Sequence, residues 1–146
     1  MKDEVPKALN WVKARAECSI EHLFILLSTV VETDTKAATE RGRGSLSFAV
    51  GRPTEDTLLV VRKYNDSGFI TSEAVAFDRL RDGSIHVSRR TARGSTDLFL
   101  AKPHVDLKGD CKFEVDGVPL EPWQVSKRAL EDLFFEHGLS AGDPTR

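Results

Sequence analysis

The 146-residue chain carries 21 Lys and Arg against 23 Asp and Glu, a formal net charge of −2, with 40% hydrophobic and 30% charged residues. That balance excludes a disordered polar chain and a fibrous repeat, demands no strongly charged partner, and fits one soluble globular domain. A chain of this size buries roughly 68–70% of the surface its unfolded form exposes, enough for a core without disulfides or metal.

The opening Met1-Lys-Asp-Glu-Val-Pro-Lys mixes both charges where an export signal needs a basic start and an apolar stretch. Cys18 and Cys111 are too few for a disulfide framework or a structural zinc site. Together these features lead to the expectation of a reducing, cytoplasmic setting with both thiols free. From Val5 to Glu40 apolar residues recur at Leu9, Val12, Ala16, Ile20, Leu23, Leu27 and Val30, in steps of three and four, which predicts one long N-terminal helix over 5–40. Asp3 suits its N-cap and Pro6 its first turn, and Arg41-Gly-Arg-Gly44 suits its stop, with Thr33 to Thr39 a place where it frays. The most apolar part, Ile20 to Val31, contains Glu21 and His22 and is too short for the roughly 20 residues that cross a bilayer, so no membrane is expected. A second stripe through Trp11, Ala14, Cys18 and Ile25 widens the apolar surface beyond what one sheet face covers. This points to a homodimer through the N-terminal helix.

Residues 45–120 switch to the two-residue period of strands. Leu46, Phe48 and Val50 alternate with polar residues, and turn chemistry follows at Pro53-Thr-Glu-Asp56. Strands are expected over 57–64 and 69–80, separated by Asn65-Asp-Ser-Gly68, and Asp82-Gly83 marks a two-residue hairpin into a strand starting at Ser84. A further strand at 96–101 is expected to stop at Lys102-Pro103, and Asp116-Gly117 to close a short edge hairpin where Pro119 is tolerated. Pro122 opens a C-terminal helix over 121–137 whose inward face is Trp123, Ala129, Leu130, Leu133 and Phe134; Gly138 caps it, and a mobile tail occupies 138–146. The sum is a single α+β domain: an antiparallel meander of five or six strands with both helices on one face.

Chemistry is sparse. Gly42 and Gly44 precede a strand, whereas a phosphate-binding glycine loop needs a helix behind it. His22, His86, His104 and His137 show no metal-ligand spacing, and the grouping of His104, Asp106, Asp110 and Cys111 is weak, so no metal and no cofactor is expected. No glycine-serine-glycine elbow or paired carboxylate in an apolar setting marks a catalytic residue. The one shaped cluster is basic: Arg79, Arg81, Arg89, Arg90 and Arg93 surround the Asp82-Gly83 turn, opposed by Asp82 alone. Alternation places His86, Ser88 and Arg90 on one strand face and Arg89 with Ile85 and Val87 on the other. Arginine favours bidentate contact with carboxylate or phosphate. Arg79, Arg81, His86, Arg89 and Arg90 are therefore the expected ligand-binding residues of a non-enzymatic module whose open sheet face takes a protein or a small anionic ligand. The alternatives are a small hydrolase or isomerase with His86 or His104 as base, and contact with a nucleic-acid backbone, which the net charge and the lack of interleaved aromatics disfavour.

Overall fold

The structure, a computed structural model, describes residues 10–41, 46–66 and 69–135, and the side chains of these except 64–66 and 69–72. The expected caps at Asp3 and Pro6, the glycines at 42 and 44, the helix end at His137 and Gly138, and the tail lie outside the described residues.

The long N-terminal helix is in fact two, α1 (Trp11–Glu17) and α2 (Ile20–Glu40). The break has a local cause that apolar spacing does not register. Ser19 takes an extended conformation and its hydroxyl accepts the His22 amide, starting a new helix, while the Cys18 amide turns back to the carbonyls of Ala14 and Arg15 and closes the old one. The threonine-rich end does not fray: Thr33 and Thr39 each donate to the carbonyl four residues back, so their hydroxyls ride on the helix to Glu40.

Seven strands follow: β1 (Leu46–Thr54), β2 (Thr57–Asp66), β3 (Phe69–Arg79), β4 (Ile85–Thr91), β5 (Gly94–Val105), β6 (Cys111–Val115) and β7 (Val118–Leu120), before α3 (Pro122–Phe135). They pair antiparallel in chain order, so the α+β meander stands, with seven strands where five or six were expected. The count reaches seven because both arms of the Asp116-Gly117 hairpin pair into the sheet, the first of them on a β5 that does not stop at Pro103. Past Ala101 it leaves β4 and pairs Lys102–Val105 with β6, at a place where β4 has no further ladder for a proline to break. The Asp116-Gly117 turn then closes the β6–β7 hairpin with positive φ at both residues, 52° and 78°, as a primed two-residue turn requires. At Asp82-Gly83 only Gly83 has positive φ (88°), so the turn is wider than expected: the Leu80 amide reaches the Ser84 carbonyl at 2.8 Å, and the Asp82 carboxylate accepts from the Ser84 amide and hydroxyl.

Both long helices cover one sheet face. Leu23, Leu27 and Val31 of α2 and Val125, Leu130 and Leu133 of α3 are buried with Leu58, Val60, Val75, Phe77, Ile85, Val87, Phe113 and Val115 in one core. Burial of this kind is worth about 1.5–3 kcal/mol per large side chain. A hydrogen bond of 2.7 Å from the Ser126 hydroxyl of α3 to Asp34 of α2 ties the two helices together. Trp123, expected inside, is 56% exposed, and Val125 and Ser126 take the buried positions of the first turns of α3. The other side of the sheet carries no helix among the described residues.

The cysteines also depart from expectation: Cys18 and Cys111 form a disulfide across 93 positions of chain. The break after α1 takes Cys18 out of the helix and sets it, fully buried, against the first residue of β6. None of the residues of α1 is buried, so this bond is its strongest tether.

Candidate functional site

Sheet parity divides the five expected residues. Arg79 and Arg89 pair in register with Ile85 and Val75, and so stand on the helix-covered face. The Arg79 guanidinium meets Asp56 at 2.6 Å and lies 5.7 Å from the centre of the Phe24 ring on α2. Its hydrogen bond to Asp56 raises its pKa, although burial works the other way, and holds the charge more firmly. Arg89 meets Glu73 at 2.7 Å; Arg62 reaches the same carboxylate at 3.2 Å and donates to the Leu133 carbonyl in the last turn of α3. There a guanidinium faces the negative end of a helix.

Burial alone would push the Glu73 carboxyl up, but the Arg89 hydrogen bond and the charges of Arg62 and Arg89 outweigh it and hold its pKa below the ordinary 4.5. A lowered carboxylate stabilises the fold at any pH above its unfolded value and loses that contribution as pH falls through its folded one. In urea unfolding, the stability gap between the wild type and Glu73→Gln is expected to be constant from pH 7 to pH 5 and to close below 4.5.

His86 and Arg90 occupy the open face. Arg90 meets Asp78 at 3.3 Å, and Asp78 also accepts the Thr57 hydroxyl at 2.7 Å. Arg81 is exposed at the tip of the β3–β4 turn, with no hydrogen bond or ion pair among the described residues. The structure thus brings His86 and Arg90 onto one surface and places Arg79, Arg89 and Arg81 elsewhere.

A bulge supplies the partner of His86. Val87 pairs with Phe99 and Ser88 with Asp97, which leaves Leu98 as an extra residue in β5. The insertion reverses strand parity, so Asp97 faces out where regular alternation would turn it inward, and its Oδ1 lies 2.9 Å from His86 Nε2. Beside this pair, where β6 and its turn part from β5, lies a concavity of ≈ 670 Å³ lined by Leu80, His86, Asp97, Leu98, Phe99, Leu100, Lys102, Glu114, Asp116 and Gly117. Three of its leucines are substantially exposed: Leu80 39%, Leu98 37% and Leu100 45%. Single exposed leucines are ordinary; here three lie around one concavity. Its rim carries Asp97, Glu114 and Asp116 against Lys102, with Asp116 bridged to Arg128 of α3 at 2.6 Å.

The sequence reading missed Asp97, Leu98, Leu100 and Glu114. The signal for the leucines was present: Leu98-Phe99-Leu100 is an unbroken apolar run, which two-residue alternation cannot turn wholly inward. The polar groups of the loop carrying Asp106, Asp110 and Cys111 are engaged within the chain. Asp106 accepts the amides of Asp110 and Lys108, which lower its pKa against the effect of burial, and Cys111 is in the disulfide. No group of three or more His, Cys, Asp or Glu positioned for a metal occurs among the described residues.

Comparison with models of known families, with curated proteins and with solved structures finds no match to this chain. No helix of the described residues is long and apolar enough to cross a membrane.

Proposed function

We propose that the chain is a non-enzymatic binding module that takes a protein partner on the uncovered face of its sheet. The observation that carries this reading is the cluster of Leu80, Leu98 and Leu100, exposed around one concavity with a charged rim. Of the partners expected from sequence, a small anion is the less favoured: Arg79, Arg89 and Arg90 already hold Asp56, Glu73 and Asp78, and an anion would compete with those carboxylates. Nucleic acid is disfavoured by the net charge of −2 and would reveal itself by affinity falling steeply with salt.

Self-association through the N-terminal helices belongs to the same reading, supported by Trp11, Val12, Ile25 and Leu26, all exposed. The disulfide favours an oxidising compartment over the cytoplasmic setting expected from the cysteine count. A second reading, catalysis with His86 as base, has one observation in its favour, the 2.9 Å contact to Asp97 in a concavity. Against it, the Asp97 side chain is 83% exposed, so water competes for the acid that would orient the ring.

The test is selection of peptides from a displayed random library on the oxidised chain, followed by affinity measurement on Leu100→Asp. Peptides that bind the wild type are expected to weaken at least tenfold on the variant, by the loss of an apolar anchor. Selected peptides that bind both proteins equally would place the binding surface elsewhere.

A further inference from the structure

We propose that Cys111 is a site of thiol–disulfide exchange with a small soluble thiol of the glutathione class, and that exchange there unlatches α1 while α2, the sheet and α3 stay folded. This goes beyond the sheet-face reading and does not depend on it.

The Cys18–Cys111 bond is placed to hold one short element. None of the seven residues of α1 is buried, and only Ala14 is half-buried. A helix that short does not persist in water on its own propensity. Its hydrogen bonds stay inside the segment: Asn10 caps the Lys13 amide, the Cys18 amide returns to Ala14 and Arg15, and the Arg15 guanidinium donates to the Cys18 carbonyl at 3.2 Å. All of these move with α1. By contrast, α2 carries its own start in the Ser19 hydroxyl and buries Ile20, Leu23 and Phe24, so it stands without α1. Apart from the disulfide, Cys18 meets the sheet through its Sγ, 3.7 Å from the His104 carbonyl oxygen, and a thiol is a weak donor. Once the S–S bond opens, that contact and the partial packing of α1 against β5 and β6 are what remain, with Ser19 as the pivot.

The two sulfurs differ in access. Cys18 is fully buried, whereas Cys111 is half-buried at the first position of β6. Both line an open groove of ≈ 420 Å³ together with Lys13, Ala14, Glu17, His22 and Gly109. An outside thiolate therefore reaches Cys111 from solvent with the chain folded. It attacks Cys111 Sγ and forms a mixed disulfide; the bond to Cys18 breaks, and its electron pair leaves on Cys18 Sγ, which takes a proton from water. A second thiolate attacks the glutathione sulfur of the mixed disulfide and releases Cys111 as a thiolate. Two glutathiones are thereby oxidised to their disulfide and one protein disulfide is reduced. What is set loose is a segment carrying Trp11 and Val12, which the bond otherwise keeps beside Ile20 and Pro103.

Two measurements on the full chain test this, with reduced glutathione as the probe. The first is the rate at which the oxidised chain loses its disulfide, with intermediates trapped by N-ethylmaleimide and mapped by mass spectrometry. The rate is expected to rise in proportion to glutathione without a plateau, and the trapped species to carry glutathione on Cys111 and maleimide on Cys18. A rate that levels off at that of global unfolding, or glutathione found on Cys18, would overturn the exchange site. The second is amide hydrogen exchange of the reduced chain. The amides of Ala14 and Cys18 are expected to exchange within about threefold of an unstructured peptide, while those of Leu27 in α2 and Phe77 in β3 stay at least about a hundredfold slower. If the α1 amides keep the protection they have in the oxidised chain, packing alone seats the helix; if Leu27 and Phe77 lose theirs together with α1, the bond staples the whole fold. Either result overturns the latch. Cys18→Ser, which lacks the bond without any reductant, is expected to reproduce the reduced pattern, and a Cys18→Ser chain with α1 still protected would count against it equally.

Discussion

Reduction of the Cys18–Cys111 disulfide is expected to lower the unfolding free energy by about 4 kcal/mol and the melting temperature by about 10–15 °C. The size follows from the loop. Cross-linking positions 93 apart removes much of the chain entropy of the unfolded state, and in the loop-closure description a ring of roughly 100 residues is worth about 4.7 kcal/mol. The bond also joins the junction of α1 and α2 to the start of β6, elements that otherwise meet through few side chains. The double variant Cys18→Ser with Cys111→Ser should match the reduced wild type, and reducing agent should leave the variant unchanged. Calorimetry with and without a reductant checks both. A shift under about 1 kcal/mol would mean that core packing alone fixes the helix junction.

The second large effect is expected at Glu73. Replacement by Gln removes the carboxylate that Arg62 and Arg89 share, at a place where the Arg62 side chain is only 6% exposed. Taking one partner from a buried ion pair costs about 3–5 kcal/mol; with Glu73 itself 23% exposed, water softens the loss, and about 2–3 kcal/mol is expected. The surface pair of Arg52 and Glu32, 4.0 Å apart with both side chains well exposed, is the control: Glu32→Gln should cost less than about 0.5 kcal/mol. Denaturant unfolding of the two variants measures the contrast. Equal effects would refute the claim that burial is what gives the Glu73 cluster its strength.

These two sites also show where sequence reading reaches its limit. Periodicity and turn chemistry carried the α+β class, the strand order and the Asp116-Gly117 turn, because each depends on residues close in the chain. The split between α1 and α2 was local too, yet Ser19 is a weak mark within a strong apolar repeat, and the repeat masked it. The disulfide was beyond reach, since nothing at Cys18 announces a partner 93 positions away.

The basic cluster was read correctly within its own strand and wrongly as one patch. Alternation did place His86 and Arg90 opposite Arg89. It could not supply the acids that come from other elements, Asp56 for Arg79, Glu73 for Arg89 and Asp78 for Arg90, which turn a cluster of positive charge into a set of ion pairs. Nor does period-two counting survive a bulge: one inserted residue, Leu98, moves Asp97 to the face of His86. The candidate site is built at that irregularity, so a reading based on regular strands arrived beside it rather than on it.

Amide chemical-shift mapping of the oxidised, isotope-labelled chain against a library-selected peptide tests the central claim most directly. Perturbations are expected at Leu98, Leu100, Lys102 and Glu114, with the exposed helix residues Ile25 and Leu26 unmoved. Perturbations confined to α2, with the leucines of β5 silent, would contradict that claim.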